Sequence, residues 1–285
     1  MGERRDEPPA GPEIGKRMFP AGNSSSGSAP ASGDHGRLRE RTVTEALELR
    51  RAARHYHSGP VPQSELLKIL DQVRLTPSGW NLQPVHFVLV TGAEQKRRLR
   101  QACLGQPQVE KAPAVVVFVA DLEPQRGRLE GILQRDLEAG SIDESYARFS
   151  RKSIRLLFDA GPFGVLGAAK AVVFGVLGWF RPMPMPSLTR RQRQIWSLRQ
   201  AAMAAQSFLL LAAARGLGTC PMEGFDPRRV RRVLGIPRRF MVALVVTVGR
   251  AVAPERPRRL RLPLAEILHQ ERFRTKRTGP GEGPV

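Results

Sequence analysis

The stretch from Arg215 to Asp226 reads R-G-L-G-T-C-P-M-E-G-F-D, and its reading decides the fold. It follows an apolar, alanine-rich helix pattern from Gln200 to Ala214 and passes into a short strand-like run. A strand ending in Pro221, Met222, Glu223 and Gly224 presents bare backbone N–H groups at its tip. Gly224 has no Cβ, so a flat molecule can approach the chain closely there. An ordinary turn after a strand is the plainer reading of the same four residues, and the rest of the sequence decides between them.

Three further segments carry matching peculiarities: R-R-A-A-R-H-Y at 50–56, P-S-G-W-N-L-Q-P at 77–84 and R-L-R-L-P-L-A-E at 259–266. On a helix, Arg50, Arg51 and Arg54 share one flank, since 50 and 54 are a turn apart. On an extended segment, Arg259 and Arg261 point the same way. A guanidinium fork binds two oxygens of a phosphate at once, although a solvated basic helix explains the first group equally well. Pro77, Ser78 and Gly79 make a turn, and Asn81 offers both donor and acceptor.

In this order and at these distances, the four segments resemble the nitroreductase family of FMN-dependent oxidoreductases, from about Thr42 to about Leu268. The resemblance implies an α+β fold, a central mixed β-sheet of four or five strands flanked by helices, in an intertwined homodimer with FMN at the interface. It implies that Arg50, Arg51, Arg259 and Arg261 hold the phosphate and ribityl end. Arg54 falls near the pyrimidine edge, where positive charge favours the reduced, anionic ring. Pro77, Ser78, Gly79 and Asn81 close the site from the partner subunit. Pro221, Met222, Glu223 and Gly224 lie against the reacting edge, with the Glu223 N–H facing flavin N5. The implied activity is ping-pong hydride transfer from NADH or NADPH, a transient donor, through FMN to a small-molecule acceptor such as a nitroaromatic or quinone. Dehalogenase or enone reductase chemistry on the same fold is the alternative. The cofactor carries the chemistry, so no catalytic side chain is assigned.

The chain departs from the family pattern in places. Ala52 stands where a Ser is usual, which removes one hydroxyl donor to the phosphate. Val85 stands where Trp often follows Gln-Pro. In the loop before Ala114, where relatives often carry Asn and Lys, this chain has Gly105 and Gln108; Gln106 or Gln108 can still donate a hydrogen bond.

The 285 residues carry a formal charge of +20, and from Arg181 to Arg261 there are 17 Arg against three acidic residues. Such a surface suits nucleic acid, anionic lipid or an acidic cofactor. Nucleic acid is disfavoured, because no recognition motif accompanies the charge and aromatics are scarce. A basic membrane-surface binding protein is the competing class. Two distant cysteines, Cys103 and Cys220, have no metal or redox spacing, so a reducing cytoplasm is the expected setting. No metal site is expected.

Residues 1–36 lack an apolar signal segment and are rich in Gly, Ser, Pro and Ala; they and residues 274–285 read as disordered tails around a domain at 37–273. Helices are expected over Thr42–Arg54, Ser64–Val73 with Ser64 as cap, Ala93–Leu104, Ser197–Ala214 and Pro227–Leu234. Strands are expected over Val85–Thr91, Ala114–Ala120 and Met241–Gly249. The elements lack a regular βαβ rhythm, which argues for α+β. Within 150–196 lies a 25-residue apolar run, Leu156–Phe180. A lid or dimer-wrapping excursion is the favoured reading. Its alternatives are a peripheral membrane contact through 156–180 and a transmembrane helix, which Asp159, Lys170 and Pro162 oppose.

Overall fold

The computed structural model describes residues 40–161, 164–183, 188–253 and 259–273. The two expected tails, Pro162, and the stretches 184–187 and 254–258 lie outside the described residues. In chain order the elements are α1 (Val43–Leu49), α2 (Gln63–Val73), β1 (Val85–Val90), α3 (Ala93–Ala102), α4 (Pro107–Lys111), β2 (Ala114–Asp121), α5 (Leu129–Glu138), α6 (Glu144–Phe158), α7 (Val165–Leu177), α8 (Arg190–Ala214), β3 (Gly218–Met222), α9 (Pro227–Leu234), β4 (Phe240–Gly249) and α10 (Leu264–Ile267). The fold is α+β.

The strands form one sheet in the order β1-β2-β4-β3. All three strand pairings are antiparallel, so the expected mixed sheet is corrected: among the described residues its parallel component is a single bridge between Ala52 and Thr219. β2 reads A-V-V-V-F-V-A-D and is buried along its whole length, because helices cover both faces of the sheet. On one face Phe208, Leu209 and Ala212 of α8 pack with Leu66, Ile69 and Val73 of α2 against Val116, Phe118, Val246 and Val248. On the other face Leu99 and Ala102 of α3 and Val230 of α9 pack against Val115, Val117, Cys220, Met222 and Val245.

Three local expectations are corrected by long-range or capping contacts. The first helix ends at Leu49 instead of Arg54, because the chain then turns extended to bond β3: Ala53 N donates to Thr219 O at 2.9 Å. α2 starts at Gln63 after Pro62, and Ser64 caps nothing. α8 begins at Arg190, seven residues before the expected start. Thr189 and Gln192 close a reciprocal capping box there, satisfying N–H groups that a bare helix end leaves open.

The apolar run of 156–180 folds as the end of α6 and all of α7. Lys170 turns inward, its Nζ donating to the carbonyls of Asp159 at 2.9 Å, Leu156 at 3.4 Å and Arg155 at 3.5 Å. A cation there suits the negative end of α6. Gly167 is in tight contact with Ala160: a Cβ at Gly167 would lie 2.8 Å from that of Ala160. Phe174 joins a third cluster with Leu82, Ile154, Leu157, Phe158 and Trp196. Among the described residues no helix is long and apolar enough to cross a membrane.

Candidate active site

β3 organises two candidate regions, one at each end. At its start, Arg50, Arg51, Ala52 and Ala53 line a cleft of about 380 Å³ together with Gly218, Thr219 and Ala251–Ala253. Arg50 and Arg51 therefore meet one cleft, although they leave an extended segment and not the helix flank expected of them. Arg54 lies beyond them, exposed, beside Tyr56 and Cys220. Burial pushes the Tyr56 phenol above its ordinary value, and the Cys220 thiol likewise; in both, the Arg54 charge opposes the shift. Tyr56 fixes this segment. Its hydroxyl donates to Ala53 O at 2.8 Å and lies 2.6 Å from Thr247 Oγ1.

Thr219 is a residue the sequence reading passed over. It is 1% exposed and lines the arginine cleft, and among the described residues its Oγ1 has no hydrogen-bond partner. It pairs with Ala52, the position where a hydroxyl is missing. Buried hydroxyls are seldom left unsatisfied, so this oxygen is a cue that something else can meet it.

At the far end of β3, the tip meets the loop before β2. Gln106 Nε2 donates to Gly224 O at 2.7 Å, and Gln108 Nε2 donates to Gln106 Oε1 at 2.9 Å and to Met222 Sδ at 3.3 Å. The structure thus brings Gln108, Met222 and Gly224 together. Gln108 itself is buried beneath the tip, so Gln106, half-buried, is the more accessible member of the pair. A Cβ at Gly224 would lie 3.2 Å from Gln106 Nε2. Pro221 pairs with Val246 inside the sheet, and Glu223 follows the strand, exposed, its carbonyl accepting from Phe225 N at 2.9 Å. Asp226 then docks its N–H on Ala102 O at 2.8 Å and caps α9.

The 77–84 turn stands apart from both ends of β3. Trp80, Asn81 and Gln83 all have positive φ, at 58°, 51° and 46°; for an aromatic this is a true outlier, of the kind that clusters at functional sites. Ser78 Oγ accepts from Gln83 N at 2.9 Å, Asn81 Nδ2 donates to Asp136 at 3.3 Å, and Gly79 N donates to Gln200 Oε1 of α8 at 3.0 Å. Arg128 ties the turn down by donating to Gln83 O and, at 2.6 Å, to His86 Nε2. Pro77, Ser78, Gln83, Arg128 and Gln200 line a small cleft that shares no residue with the arginine cleft. Gln200 had a sequence signal, a polar residue in an apolar helix face; Arg128 had none.

Arg259 and Arg261 lie exposed on the segment after β4, and Arg261 Nη1 donates to the carbonyls of Leu260 at 3.3 Å and Arg259 at 3.5 Å. Among the described contacts, nothing brings this pair to Arg50. The chain does enter the segment from Ala253, which lines the arginine cleft.

Comparison with known proteins agrees with this architecture. The family model described as "Nitroreductase family" matches residues 47–250. A protein of Thermus thermophilus named "NADH dehydrogenase" is 33% identical over 225 residues, 79% of this chain and 93% of its own length. "FMN reductase [NAD(P)H]" of Bacillus subtilis is 24% identical over 81% of this chain and 74% of its own. A crystal structure from Exiguobacterium sibiricum, in complex with FMN, superimposes with a TM-score of 0.62 at 22% identity, covering 81% of this chain and 98% of that one. With its sheet, its Pro-Met-Glu-Gly tip and a family match across most of its length, the chain belongs to the nitroreductase family.

Proposed function

We propose that this protein is an FMN-dependent NAD(P)H oxidoreductase working as a homodimer. The observation that carries the reading is β3, which runs from a two-arginine cleft to a glycine-bearing tip. Thr219 and Glu223 are four residues apart, about 13 Å along an extended strand. That span suits a cofactor with an anionic end and a planar end.

The residues fit FMN on three counts. Arg50 and Arg51 offer guanidinium groups for the phosphate. Thr219, beside Ala52, offers the otherwise unpartnered hydroxyl oxygen. Met222, Glu223 and Gly224, with Gln106 behind them, give a tip that a flat ring can approach. The chemistry supplied by bound FMN is two-electron transfer from NADH or NADPH to a small-molecule acceptor, with nitroaromatics and quinones as the acceptor classes. The chain's own work is to hold, orient and shield. The backbone N–H of Glu223 is the donor offered at the ring's reacting edge, and Arg54 supplies positive charge beside Cys220 of the same strand.

Two observations support the dimer. Pro77 and Ser78 line a cleft separate from their own chain's arginine cleft, and Gly79 and Asn81 belong to the same turn, in keeping with a turn that serves the partner's site. The segment that carries Arg259 and Arg261 leaves the domain with its apolar side chains exposed, Leu260 at 94%, as an arm that embraces a second subunit would. Arg259 and Arg261 then complete a phosphate seat.

The test is flavin binding. Purified protein should carry flavin absorbance; Arg261→Ala should weaken FMN binding about tenfold or more, a charge-assisted contact contributing about 1.5–3 kcal/mol, and Arg259→Ala/Arg261→Ala about a hundredfold or more. Unchanged flavin occupancy in the double variant removes these two from the site. Absence of flavin from both protein and reconstituted samples removes the activity itself.

A further inference from the structure

We propose that the α6–α7 hairpin docks this protein peripherally on an anionic lipid bilayer, α7 lying in the interface. α7 is built inside out. Its one charged residue, Lys170, faces the protein and caps the carbonyl end of α6. Gly167 and Phe174 also face inward, against Ala160 and the Phe158–Trp196 cluster.

Every exposed position from Val165 to Phe180 is apolar: Val, Leu, Ala and Gly along the helix, then Trp179 at 89% exposure and Phe180 at 81%. Apolar surface of this kind, contiguous and charge-free, marks an interaction site. The charges that oppose burial in lipid are therefore absent from the outward face.

Charge complementarity selects the occupant. Arg181 follows the two aromatics directly, Arg190 and Arg191 open α8, and Lys152 shares an exposed flank of α6 with Leu156 one turn on. Aromatic rings beside cations at the end of an apolar helix suit the headgroup boundary of an anionic membrane. A second copy of this chain carries the same net charge of +20, so it complements these cations less well than an anionic surface does. The 13 residues of α7 span about 20 Å, short of the roughly 30 Å hydrocarbon core, so the helix lies on the bilayer and does not cross it.

Flotation of the full-length protein with vesicles tests this, using phosphatidylcholine alone and phosphatidylcholine mixed with phosphatidylglycerol. The expected result is flotation with the mixed vesicles, weakened by high salt, and at least tenfold weaker for Trp179→Ser/Phe180→Ser. Both side chains are exposed, so the variant should keep the wild-type melting temperature. Failure to float with anionic vesicles overturns the proposal, and so does equal flotation of the variant. A variant that loses dimer mass while wild-type protein ignores vesicles shows that a second subunit covers this face.

Discussion

Thr219 is where a single atom separates two readings of the arginine cleft. Among the described residues its buried Oγ1 has no partner, and a desolvated hydroxyl without one is unfavourable by about 1–3 kcal/mol. If the hydroxyl serves the FMN phosphate, Thr219→Val should raise the melting temperature of the flavin-free protein and weaken FMN binding, while Thr219→Ser keeps the affinity. Opposite signs in the two measurements are the signature; a purely structural threonine would move only the first. His86 gives the pH counterpart. Burial, then the nearby Arg128 charge, hold its pKa below the ordinary value, and Arg128 donating at 2.6 Å keeps Nε2 unprotonated. The unfolded chain binds this proton more tightly than the folded one. Stability from His86 is thus complete above about pH 6.5 and is lost as pH falls through that value toward the folded pKa. Thermal melts of His86→Asn between about pH 7 and 5 should show a shallower decline than wild type. The thiols should stay silent: burial pushes Cys103 up to about 12 and raises Cys220, so a thiol reagent should label native protein slowly and both cysteines after denaturation.

At the scale of elements, β3 and its neighbours are held by glycines that admit no replacement. A Cβ at Gly218 would run into that of Ala251 and lie 2.9 Å from that of Ala53. Both neighbours belong to backbone that is bridged to the sheet, so neither can swing aside. Gly218→Ala should cost about 1–3 kcal/mol, read as a lower melting temperature, and should weaken FMN retention because the same residues line the arginine cleft; Gly131→Ala, inside α5 with open space around it, should not lower the melting temperature. Much of this architecture was legible in the sequence. β2, β4, α9 and the apolar stripe of α2 announce themselves through periodicity and caps. The end of α1 did not, since only pairing of Ala52 with a strand more than 160 residues away ends the helix pattern early. The start of α8 was legible and overlooked: Thr189 and Gln192 are a capping-box pair. Of the site, the residue types were readable. The separation of the 77–84 turn from the arginine cleft was implied by the family resemblance alone and not by residue pattern, because it depends on how Arg128 and Gln200 pin the turn.

At the scale of the whole molecule, the proposed homodimer turns on the segment after β4. After β4 the chain carries Leu260, Leu262, Leu264, Ile267 and Phe273 with more than half of each surface in water. Burying such side chains is worth about 1.5–3 kcal/mol each, so five of them form a strong drive toward association. The same arm holds Arg259 and Arg261, so on the proposed function assembly and cofactor retention are coupled through it. Truncation after Ala253 should therefore do two things together, shifting the mass by light scattering from dimer to monomer and releasing flavin in gel filtration. Arg259→Ala/Arg261→Ala should do only the second, while Leu260→Ser/Leu264→Ser should weaken the dimer first and lose flavin only as subunits part on dilution. A truncated chain that remains dimeric and yellow would show that α8 and the remaining surface suffice, and would take both the grip and the phosphate seat away from the arm.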